Sequence, residues 1–166
     1  GSARAMRLAD GALAIAEDLP TARTTTVDVP AEAGDALGST VERLSAIQEV
    51  AVRHLDAIVA APGIPVTIGG DDGVGRTAAA ASLAGGDAAL LWMSAHAGLE
   101  PPRSGRPGPF EGTVLRALLG EGPEALVPTP PLPPASVVLA GARGLAPLEQ
   151  EVVAQRGLRL LPPPTD

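Results

Sequence analysis

"SVVLAGARGLAPLEQEVVAQRGLRLL", residues 136–161, decides the fold. Its opening, 136–142, is a short apolar run rich in β-branched residues, which reads as a buried strand. "APLEQEVVAQRG" follows with helical character. Pro147 sits near its start, where a proline costs no hydrogen bond, and Gly157 falls just after its end. "LRLLP" at 158–162 reads as a second strand. A strand, a helix and a strand in this order form a crossover unit, and the two strands of such a unit run parallel.

Outward from this unit the same alternation repeats. "DAALLWM" at 87–93 reads as a buried strand, preceded by an alanine-rich helix over 74–84 and by the short apolar strand "IPVTI" at 64–68. Residues 39–61 read as a long helix with an apolar stripe of Leu44, Ile47, Val50, Leu55 and Ile58, capped by Ser39 or Thr40. His54 lies on it as a surface or boundary residue. "RTTTVDVP" at 23–30 reads as a strand between prolines, and 3–18 as a first helix. "TVLRALLG" at 113–120 is a short helix ended by Gly120, and the proline-heavy stretch 121–135 is a connector. Strands alternating with helices, with continuously apolar central strands, predict a three-layer α/β/α domain over residues 1–166, built on a mainly parallel sheet covered on both faces.

Composition removes several function classes. The chain has 166 residues, no cysteine, no lysine and a net charge of −7. Lysine Schiff bases, thiolate nucleophiles, cysteine-ligated metals and disulfides are excluded. An acidic chain without a basic face does not track phosphates, so no nucleic-acid partner is expected. No apolar run is long enough to span a bilayer, and no leader is expected, so a cytoplasmic location is. With aromatics at 1%, alanine, valine and leucine must fill the core.

In parallel sheets ligands bind where strands end. Three polar turns fall there: "GGDDGVG" at 69–75, "SAHAG" at 94–98 and "GARG" at 141–144. The first admits two readings. It could cradle a phosphate at a helix N-terminus, although Asp71 and Asp72 would repel one; or Asp72 simply caps the helix that follows. The second holds His96 with no acid beside it.

Taken together, "VTIGGDD" (66–72), "LLWMSAHAGLEPP" (90–102) and "GPFEGTVLRALLGEG" (108–122) resemble three successive blocks of the arginase–agmatinase (ureohydrolase) family, which reads GGDH, DAHxD and a glycine-rich loop ending in HG. The resemblance covers nearly the whole chain. It implies the arginase-like fold, lacking the family's first strand and C-terminal part, and an ancestor that used two Mn²⁺ ions to turn a bridging water on a guanidinium carbon. The histidine after GGD corresponds to Asp72, which can still ligate a hard ion. The first acid of DAHxD, which bridges both metals, corresponds to Ser94, and the last to Gly98; the central histidine is His96. The histidine of HG corresponds to Glu111. The substrate-holding asparagine corresponds to Glu100, which would repel an α-carboxylate. The family's later D-x-D pair has no match after residue 112.

The reading expected from these positions is a ureohydrolase homologue with a dismantled binuclear site, a pseudoenzyme or interaction subunit. It needs no cofactor, or Mn²⁺ if any metal binds, with His96 and Asp72 as vestigial ligands. Two alternatives stay open. One is a metal-dependent C–N hydrolase completed by a partner chain. The other is a hydrolase that reuses the pocket, with His96 and Glu111 in acid–base roles. A homo- or hetero-oligomer is expected, through an exposed sheet edge or a family-type interface.

Overall fold

The computed structural model describes residues 2–86, 88–101 and 105–163, without the side chains of 2–7 and 9. Asp87, expected to open a strand, and residues 102–104 of the glycine- and proline-rich loop lie outside the described residues. The order is α1 (Ser2–Glu17), α2 (Leu44–Ala60), α3 (Gly73–Ala84), β1 (Leu90–Met93), α4 (Val114–Leu118), β2 (Val137–Ala140), α5 (Pro147–Arg156) and β3 (Arg159–Leu161).

The crossover unit forms as its sequence demands. β2 and β3 are parallel, with Val138 opposite Arg159 and Ala140 opposite Leu161. β1 pairs parallel with β2 on its other side, Trp92 opposite Leu139, so the sheet runs β1-β2-β3. Pro147 occupies the first turn of α5, and the Glu149 carboxylate accepts the Ala146 N–H at 3.0 Å. Gly157 ends the helix at φ 63°, the left-handed turn that glycine adopts without a Cβ penalty.

α4 is the centre of the core. Val114, Leu115, Ala117 and Leu118 are all buried, and Leu99, Leu126, Leu132, Val137 and Leu139 close around them. Five residues cannot form a stable helix alone, so this turn exists because tertiary packing surrounds it. Truncating a leucine in such a place costs about 2–5 kcal/mol, transfer plus cavity.

The structure departs from the sequence expectations in five places. Residues 23–30 and 64–68 are extended but pair with no strand among the described residues. β-branched residues favour extended backbone, but a strand also needs a ladder partner. Residues 23–30 instead lie along α2, where Arg53 Nη1 donates to the Asp28 carbonyl at 2.9 Å. Ile64 and Val66 are 95% and 83% exposed. The sheet is therefore smaller than expected and is not covered on both faces: Trp92 is buried, whereas Leu91 and Met93 on the opposite face of β1 are exposed.

The start of α2 is also different. Arg43, with φ 59°, stands at its N-cap position with no side-chain cap. Ser39 serves the turn before it, where its Oγ accepts from the Val41 N–H at 3.1 Å. At α3 the cap moves by one residue. Asp71 Oδ1, not Asp72, accepts the Gly73 N–H at 2.8 Å.

The fifth correction is His54, which is buried rather than superficial. Its Nε2 lies 2.9 Å from Thr67 Oγ1, tying the 64–68 segment to α2. Burial lowers its pKa from 6.5, because the imidazolium loses its hydration. The folded state thus favours neutral His54. Its contribution is fully present above the unfolded pKa and is lost as pH falls from about 6.5 towards the lower folded value. Chemical denaturation between pH 7.5 and 5 should show stability falling with acidification, and His54→Gln should flatten that slope. An unchanged slope in the variant would assign the acid sensitivity to other groups.

Candidate functional site

β1 ends at Met93, and the chain turns at once. The Ser94 N–H still donates to the Ala140 carbonyl at 3.2 Å, the last rung of the β1–β2 ladder. Ser94 Oγ then accepts the His96 N–H at 3.2 Å. Beside it the turn after β2 is docked in turn, with the Arg143 N–H donating to the Ala95 carbonyl at 3.0 Å. The turns 94–98 and 141–144 therefore share one edge of the sheet, as the strand-end rule requires. His96 is exposed, and Ser94 is half-buried.

Gly98 is held more tightly. It adopts φ 68°, and a Cβ there would meet Leu115 N at 3.4 Å and the Trp92 ring at 3.6 Å. Its carbonyl accepts the Arg116 N–H at 3.1 Å. Arg116 Nη1 also donates to the Leu99 carbonyl, and its Nε to Glu121. Sequence reading missed Arg116 as the residue that pins the turn. The available signal was a single cation on an otherwise apolar five-residue helix.

Asp72 approaches from the N-terminus of α3. Burial, then the charge of Asp71, hold its carboxyl above the usual aspartate range, while the charge of His96 pulls it back. These causes place Asp72 and His96 within electrostatic reach of each other, although they come from separate loops. Glu100 lies on a different part of the rim. Its N–H donates to the Gly112 carbonyl at 2.8 Å, and its carboxylate packs where a Gly112 side chain would stand. Glu111 is exposed in the short turn before α4. The structure thus brings Asp72 to His96, and Glu100 to the 111–112 turn. Among the described residues, no three acidic, histidine or cysteine side chains converge as a metal-holding group.

This scaffold has known counterparts. The model of the arginase family matches residues 3–163. The chain belongs to the arginase family. Among solved structures it is similar to the arginase of Bacillus cereus (TM-score 0.68, 21% identity, 82% of this chain and 48% of that one). The arginase of Entamoeba histolytica, solved with L-ornithine, gives a TM-score of 0.67 at 19% identity over 83% of this chain and 49% of that one. The arginase of Bacillus caldovelox gives 0.65 at 24% over 83% and 48%. The chain thus spans about half the length of these arginases, and at such identities the likeness is one of fold. No curated protein matches it. Among the described residues, no helix is long and apolar enough to cross a membrane.

The Asp72–His96 proximity has a direct readout. If cationic His96 lowers the Asp72 pKa, His96→Ala should raise it further. Carboxyl carbon shifts of Asp72 followed by NMR between pH 2 and 7 measure this, and an unmoved midpoint would show that the two groups are not coupled.

Proposed function

We propose that this member of the arginase family no longer builds a two-manganese centre and acts as a non-catalytic subunit through its surface. The donor set carries the reading. A two-metal hydrolase holds its ions about 3.5–4 Å apart and needs several carboxylates and imidazoles at one point. Here the position matching the bridging acid is Ser94, whose neutral hydroxyl cannot bridge two cations, and the position matching the second acid is Gly98. Asp72 and His96 remain, two donors for a centre that needs many more. The manganese pair does not fit these residues, so no hydrolytic step is derived through it.

What supports an interaction role is the sheet itself. β1 is an edge strand, and Leu91 and Met93 are 55% and 76% exposed on it. Such an edge, without charge or proline to blunt it, invites another chain.

A second reading has its own support. Asp72 and His96 sit near each other from two loops, half of what a partner bearing further carboxylates would have to complete. In that case the assembled complex would hydrolyse a guanidino or amidino C–N bond.

Metal content and product release separate these readings. The purified chain dialysed against excess Mn²⁺ should retain well under one ion and release no urea from arginine or agmatine. Light scattering should show a mass above that of one 16.5 kDa chain. Retention of about two ions per chain would overturn the proposal. Urea released only by a complex isolated with its natural partner would establish the second reading.

A further inference from the structure

The connector between α4 and β2 carries "PTPPLPP" at 128–134, which the site does not use. Proline holds its own φ near −65°, and each residue before a proline is pushed towards extended or polyproline II geometry. Thr129, Pro130, Leu132 and Pro133 all precede prolines, so nearly every dihedral of this run is preset. The peptide bonds are trans from Pro130 onwards. Pro133, with φ −64° and ψ 129°, lies in the polyproline II region.

The run is anchored from below. Leu132 is 3% exposed, and its N–H donates to the Leu118 carbonyl at 2.8 Å. Pro128 is buried at one end, and Ser136 Oγ donates to the Pro133 carbonyl at 2.8 Å at the other. With three residues per turn, positions three apart share an edge. With Leu132 on the inward edge, Pro130 and Pro133 share a second and Pro131 and Pro134 a third. Pro130, Pro131 and Pro133 are exposed, and Pro134 is half-buried.

We propose that residues 130–134 are a docking ligand for a partner protein with an aromatic-lined, proline-recognising groove and a basic rim. The apolar edges suit an aromatic groove, which reads prolines at i and i+3. Because the run is already ordered, binding forfeits little conformational entropy. The basic rim follows from charge. No arginine falls between 117 and 142, while Glu121 and Glu124 flank the run on a chain of net charge −7. Domains whose acidic rims select arginine-flanked prolines are disfavoured by the same field.

The probe is an isotope-labelled EVH1-type domain with a basic rim, titrated with the full chain and followed by NMR. Shifts at the domain's aromatic groove are expected. Pro130→Ala with Pro133→Ala should weaken binding roughly tenfold or more, which is about 1.4 kcal/mol. Circular dichroism should report the same fold, because Leu132 is kept. Should the double variant fail to fold, labelling the wild-type chain decides: the Thr129, Leu132 and Ala135 amides should move. No shift at the groove, binding that the folded double variant retains, or perturbation of the chain confined elsewhere would overturn the proposal.

Discussion

The turn after β1 is clamped to α4, and much of the molecule depends on that clamp. The Arg116 N–H and guanidinium satisfy the carbonyls of Gly98 and Leu99, while Leu99 and Leu115 are fully buried side by side. A buried carbonyl without a donor costs far more than the bond contributes when made. Loop, helix and sheet edge are consequently held as one unit. Arg116 is fixed in turn by Glu121, which also receives Arg156 of α5. These two arginines and the hydrogen bonds they make hold the Glu121 carboxyl below the usual range despite partial burial.

The clamp bears on the family chemistry. The position that matches a family acid is Gly98, a left-handed turn lodged against Leu115 and the Trp92 ring. It serves packing, and has no side chain to offer a cation. Ser94 is likewise occupied with the His96 N–H. Asp72 and His96 are left as neighbours, with burial opposing the ionisation of one of them. A ligand position lost to backbone packing is not regained by moving a side chain, which separates this site from one that is merely empty of donors.

The elements legible in the sequence were those whose partners are close in the chain. β2, α5 and β3 follow one another within 25 residues, and the period change from apolar run to helix marks them plainly. The positions of His96 and Asp72 were legible from spacing alone. Residues 64–68 show the opposite case. Ile64, Val66 and Ile68 alternate as a strand should, yet nothing local says which chain segment, if any, lies beside them. His54 was misplaced for the same reason. Its partner Thr67 is 13 residues away, outside any helical period. At α3 two adjacent aspartates could each cap, and only the observed geometry separates Asp71 from Asp72.

By itself the sequence determined the class of fold, the parallel sense of its strands, the strand-end placement of the polar turns and the loss of acids at 94 and 98. Each depends on residue type and local period. Tertiary structure decided the extent of the sheet, the burial of His54, the capping residue of α3 and the clamp of Arg116 on Gly98 and Leu99. Those depend on hydrogen-bond partners and desolvation supplied by residues distant in sequence, and such free energies have no local signature.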